Sequence, residues 1–133
     1  MMSIDTPASK KFAKSFKKRW GADRVVADPQ ESAYNMVYLW KQAVEDAGTF
    51  DDNAVREALV GQKFDAPQGP VEVMPNHHLS QTVRIGEINA EGGFTILEET
   101  GVVLPQAWNQ KHPSSKGFAC DWTDPSKGEK YKL

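Results

Sequence analysis

The sequence predicts an α/β chain in which three helices precede a short antiparallel β-meander and an irregular tail. Three observations carry this. Apolar residues recur at helical spacing in three capped stretches before Gly61. Beyond residue 69 the pattern turns to strand-like alternation around a glycine-rich turn. From residue 101 periodicity stops, and the segment holds three prolines, three glycines and two tryptophans. The chain therefore divides into a helical segment (1–68), a crossover and β-hairpin segment (69–100) and an irregular C-terminal tail (101–133).

Thr6-Pro7 opens the first helix, because a threonine oxygen caps free amides and proline suits the first helical position. Phe12, Phe16 and Trp20 recur every four residues, with Ala13 beside them, and make one apolar stripe. Lysines and Arg19 cover the other faces, and Gly21 ends the helix. Asp28-Pro29-Gln30-Glu31 is the second start signal. Asp28 would accept from the third helical amide and Glu31 would reach back, as in a capping box. This helix is expected to run to Ala47 and stop at Gly48. Tyr34, Val37, Tyr38, Trp40, Lys41 and Val44 make it apolar over more than half its circumference, so burial on two sides is expected.

Asp51 or Asp52 caps a third helix, Asn53 to Val60, which Gly61 ends. Val71-Glu72-Val73 alternates as a short strand. Val83, Ile85 and Ile88 belong to another, Ala90-Glu91-Gly92-Gly93 is a hairpin turn, and Phe94 to Glu98 returns antiparallel. In the tail, Trp108 and Trp122 would pin an irregular chain onto the body. Three helices followed by a narrow meander close poorly on themselves, since two or three strands need a covered face.

At 133 residues the default is one domain with a core of its own. The net charge of −2 excludes a general attraction to nucleic acid or to an anionic membrane. Both ends are basic and the middle is acidic, which reads as electrostatic support within one fold. Cys120 is the one cysteine, so an internal disulfide framework is impossible, and its partner is open. Met1–Lys11 lacks the apolar core of a signal peptide, and no stretch approaches the apolar length of a membrane span.

Chemistry-bearing constellations are sparse. His77-His78 and His112 raise the question of a metal site, but adjacent residues of an extended chain point to opposite sides, and no cysteine or carboxylate stands at ligand spacing. The pair reads as a structural turn. No nucleophile elbow surrounds Ser80 or Ser114-Ser115, and no phosphate-binding glycine pattern appears. The reading is non-enzymatic, with no catalytic residue, metal or cofactor. The basic first helix reads as a surface helix rather than a membrane-binding one.

The segment Asp28 to Tyr38 is the candidate binding element. Tyr34 and Tyr38 lie one turn apart behind a helix N-terminus, whose free amides and positive dipole end suit a small polar ligand. The plain alternative is a capped helix with Tyr34 packed in the core.

These residues resemble a family. Ser3-Ile4-Asp5-Thr6-Pro7, Trp20-Gly21-Ala22-Asp23-Arg24, Asp28-Pro29, Tyr34 and Tyr38 to Val44 are followed by Phe64-Asp65-Ala66-Pro67 and Gly69-Pro70-Val71. Asn76-His77-His78-Leu79, Arg84-Ile85-Gly86-Glu87-Ile88, Lys116-Gly117-Phe118 and Cys120-Asp121-Trp122 complete the order. The chain is similar to the C-terminal third of type I periplasmic solute-binding proteins of ABC transporters, in the urea and short-chain amide branch related to branched-chain amino-acid binders.

The resemblance implies two α/β lobes joined by crossings, here near Val26–Pro29 and Gly69–Met74, with ligand trapped by hinge closure. It places Asp28, Glu31 and Tyr34 nearest the cleft as ligand-binding residues. It implies a periplasmic receptor, with targeting segment and most ligand contacts upstream, that passes a small polar solute to a membrane permease. A cytosolic amide-sensing regulator of the same fold and a branched-chain amino-acid binder are the alternatives. The 133 residues alone are expected to self-associate through exposed apolar faces and to show no urea binding.

Overall fold

The structure, a computed structural model, describes residues 2–106 and 112–113. Helix α1 spans Pro7–Trp20. The Thr6 hydroxyl oxygen accepts the Ser9 amide hydrogen at 3.1 Å, and the Thr6 hydroxyl donates to the Pro67 carbonyl at 3.4 Å, so the cap also ties the helix to the sheet. Gly21 closes it with φ 124°, a backbone angle that disfavours a side chain. Helix α2 spans Asp28–Ala47 and ends on Gly48 at φ 63°. Helix α3 spans Asp52–Leu59, with Asp51 Oδ1 accepting from the Asn53 and Ala54 amides.

The start of α2 differs from the sequence expectation by one residue. Ala27, not Asp28, is the cap position, and the Ala27 amide donates to Gln30 Oε1 at 3.0 Å. Gln30 therefore makes the backward bond expected of Glu31. The shift leaves Asp28 in the first turn and turns Glu31 inward, where Asn35 and the Gln68 amide satisfy one of its oxygens.

Four strands follow: β1 (Lys63–Ala66), β2 (Gly69–Val73), β3 (Leu79–Ile88) and β4 (Phe94–Val103). They form one antiparallel sheet in the order β1-β2-β3-β4. Asp65 pairs with Pro70 and Ala66 with Gly69 across a tight turn. Strand β2 meets only the start of β3, through Glu72–Ser80 and Val73–Leu79. The rest of β3 pairs with β4 as a two-stranded ribbon, with register shifts between Thr82 and Arg84 and between Ile85 and Gly86. Strand β1 falls within residues 1–68, expected to be helical, because four residues followed by proline are too short to show alternation. Strand β4 continues through Gly101, Val102 and Val103, into the segment read as irregular. The expected anchors Trp108 and Trp122, and Cys120, lie outside the described residues.

The core lies between α2 and the β1–β2 hairpin. Leu39, Ala66, Val71 and Val73 are buried together, with Leu59, Phe64 and Leu79 packed around them. Burial follows one stripe of α2, at Glu31, Asn35, Leu39 and Ala43. The expected two-sided burial of α2 is not found among the described residues. Met36, Val37 and Trp40 are exposed, and the Trp40 ring lies 6.2 Å from that of the still more exposed Phe50. No described element lies over that face. The histidine pair forms a turn, as the sequence suggests. The His77 amide donates to the Met74 carbonyl at 2.8 Å, and His77 takes φ 60°. Among the described residues no helix is long and apolar enough to cross a membrane.

Candidate functional site

Two clefts flank the N-terminal half of α2, and Glu31 lies buried between the elements that form them. The smaller cleft, about 210 Å³, is the more polar of the two. Asp28 enters it from the first turn of α2, Gln68 from the β1–β2 turn, Thr82 and Arg84 from β3, and Phe94 and Ile96 from β4. The ribbon approaches closely here. A side chain at Gly86 would meet Phe94 Cβ at 3.3 Å and the Thr95 carbonyl at 3.4 Å. Gly69, at φ 127°, turns the hairpin beneath the ribbon, and its missing Cβ would lie 3.9 Å from Arg84 Nη2 and 3.7 Å from Thr82 Oγ1. Arg84 is fixed from the other side by Glu99, whose Oε2 accepts from Nε at 2.7 Å. Gln68 Nε2 donates to Gln81 Oε1 at 3.1 Å, which ties the floor of the cleft to β3.

This cleft combines the Asp28 carboxylate, the Arg84 guanidinium, the Gln68 amide and the Ser3 and Thr82 hydroxyls with the apolar side chains of Ile4, Phe94 and Ile96. Such a set suits a small neutral solute that both donates and accepts hydrogen bonds. The Asp28 carboxylate also sits in the first turn of α2, where the helix dipole favours negative charge.

The larger groove, about 600 Å³, lies between α1, α2 and β1. Its walls are aromatic: Phe12 and Tyr34 ring centroids are 4.8 Å apart, and Tyr34 and Phe64 are 6.2 Å apart. Tyr34 and Tyr38 are also 4.8 Å apart. The Tyr38 hydroxyl beside it, and partial burial, push the Tyr34 phenol up to about 12.

The three residues expected at the site are thus distributed. Asp28 faces the polar cleft, and Tyr34 faces the aromatic groove on another side of the helix. Glu31 is fully buried, and burial raises its carboxyl above the usual value, against the lowering effect of its bonds to Asn35 and Gln68. Sequence reasoning missed Gln68, Thr82 and Arg84. One signal was available for Arg84: a cation inside an otherwise apolar alternating stretch, Val83-Arg84-Ile85.

The fold and cleft define a class: an α/β segment with a small polar site where a helix N-terminus meets an antiparallel ribbon. Comparison with known proteins makes this specific. Residues 1–114 match the family described as periplasmic binding protein domain, and the chain belongs to that family. A protein from Geobacillus stearothermophilus named limonene hydroxylase is 30% identical over 103 residues, covering 77% of this chain and 19% of the relative. The Leu/Ile/Val-binding protein homolog 6 of Brucella abortus is 28% identical over 89 residues, covering 65% of this chain and 23% of its own length. An ABC-transporter solute-binding protein from Rhodopseudomonas palustris, solved with 3,4-dihydroxybenzoic acid, superposes with TM-score 0.66 at 20% identity over 77% of this chain and 29% of its own. The chain spans about a fifth of the length of the curated relatives it matches.

Proposed function

We propose that this chain is part of the solute-binding component of an ABC transporter that captures urea or a short-chain amide in the periplasm and delivers it to a membrane permease. The observation that carries the reading is that Asp28 and Arg84 line one small polar cleft with Thr82 and Gln68. An amide needs an acceptor for its N–H groups and a donor for its carbonyl, and this pair supplies both. In a water-poor cleft each satisfied polar group gains, because the unpaired alternative is costly. Asp28 would contact solute directly, with Glu31 behind it. Tyr34 would contribute from the same helix only where closure brings the aromatic groove toward the cleft. Closure would be a hinge motion at the crossings. The protein acts as a receptor, without catalysis or cofactor.

Calorimetry on the protein at its full encoded length tests this with urea, acetamide and leucine. The expected result is a saturable isotherm for urea or acetamide that Asp28→Asn and Arg84→Ala each weaken at least tenfold. The 133 residues by themselves are expected to give no isotherm. Binding of leucine alone would favour a second reading, a branched-chain amino-acid receptor, which the similarity to the Leu/Ile/Val-binding protein homolog supports. A cytosolic amide-sensing regulator is separated by cell fractionation, since a receptor for a permease must be recovered outside the cytoplasm.

A further inference from the structure

We propose that Glu31 is a positioning residue that works as a neutral acid, pairing its protonated carboxyl with the Asn35 amide and holding the Gln68 backbone at the floor of the polar cleft. The positioning role rests on that cleft being the solute site; the protonation state does not. Glu31 and Asn35 are both fully buried, one turn apart on α2. Asn35 Nδ2 donates to Glu31 Oε1 at 2.8 Å, and the Gln68 amide donates to the same oxygen at 3.4 Å.

The other two oxygens of the pair are what decide the state. Glu31 Oε2 and Asn35 Oδ1 are buried and have no hydrogen-bond partner among the described residues. As a carboxylate and an amide oxygen they are acceptors only, and two orphaned buried acceptors are costly. A carboxylic acid and a primary amide remove the problem together, because they can share two parallel bonds. The N–H to carboxyl bond already exists. A proton taken from solvent onto Oε2 supplies the second donor, to Oδ1. Burial favours that neutral form. Asp28, in the first turn of the same helix, also favours it. Gln68, facing from the β1–β2 turn, is neutral. From Gln68 the connection continues through Gln81 to β3, next to Thr82 in the cleft.

The test compares Glu31→Gln, which keeps the acceptor, supplies a permanent N–H donor and cannot titrate, with Glu31→Ala. Thermal melting is followed against pH in the protein at its full encoded length. The acid form is the one folding favours. Its stabilisation is therefore complete below the ordinary carboxylate value of 4.5 and is lost as pH rises through the raised folded value. The unaltered protein should lose several degrees relative to Glu31→Gln on that rise, and Glu31→Ala should melt low throughout. A pH-independent difference, or Glu31→Gln melting as low as Glu31→Ala, would overturn the neutral acid. Should the variants fail to fold, a ¹³C titration of the Glu31 carboxyl in the unaltered protein decides; ionisation at or below 4.5 would overturn it equally. Solute affinity should survive in Glu31→Gln and drop severalfold in Glu31→Ala, and equal affinities would overturn positioning. A protein with the expected pH behaviour that binds neither urea nor an amide fails the solute assignment instead.

Discussion

Arg84 Nε donates to Glu99 Oε2 at 2.7 Å, and the two residues stand opposite each other in the β3–β4 register. The Arg84 side chain is 13% exposed and that of Glu99 is 53% exposed, so the acid acts as an outer clamp on an inner cation. A register shift on each side of this stretch tightens the local twist and aims Arg84 over the β1–β2 turn.

Removing the clamp should separate stability from recognition. Glu99→Ala removes both the charge and the acceptor of a pair that is open to water on one side, so it should cost no more than about 1 kcal/mol of folding stability. It leaves the Arg84 fork free to wander, and solute affinity should fall by more than stability does. Chemical denaturation and calorimetry on the same variant check this, and an unchanged affinity would show that Glu99 does not orient Arg84.

The core between α2 and the hairpin is small, and Leu39 is its single large contribution from α2. Leu39→Ala should cost about 2–5 kcal/mol, through lost transfer energy and the cavity left behind. Urea unfolding at constant m-value measures it. A cost below about 1 kcal/mol would mean that α2 is not held by this cluster.

The sequence carried the helices well because each has its own local chemistry. Thr6, Asp51, Gly21 and Gly48 act at the positions their caps imply. It failed at Asp28 because Gln30 and Glu31 both suit the backward bond of a capping box, and only the buried partners Asn35 and Gln68 decide between them. Strand β1 was illegible because its evidence is the pairing of Phe64 with Val71, a contact between segments. The site was half legible for the same reason. Asp28 announced itself at a helix start, whereas Arg84 and Gln68 become neighbours of Asp28 only when the ribbon folds over the hairpin turn.

Self-association of the 133 residues alone should follow from what they leave uncovered. Met36, Val37, Trp40 and Phe50 are exposed on the helical side, and Ile85, Ile88, Phe94 and Leu97 on the ribbon. Apolar patches of this kind are covered by a partner or by another copy. Sedimentation at micromolar concentration should show species larger than the monomer, and Trp40→Lys combined with Phe50→Lys should shift them toward it. A clean monomer of the unaltered chain would count heavily against this.

Tyr34 offers a test that needs no ligand. The adjacent Tyr38 hydroxyl, and then burial, raise its phenol from the usual 10.0 to about 12. The raised value means the neutral form is favoured by folding. Its contribution to stability is complete below 10.0 and is lost only as pH rises through about 12, so no effect is expected at neutral pH. Tyr34 therefore keeps its hydroxyl proton under all ordinary conditions and acts as a donor. Absorbance titration of the phenolates should resolve one late-ionising tyrosine in the unaltered protein. Tyr38→Phe should bring it back toward 10.0, because the leading cause has been removed. A Tyr34 that ionises at the ordinary value with Tyr38 in place would show that the two hydroxyls do not interact, and that the 4.8 Å ring contact is apolar packing alone.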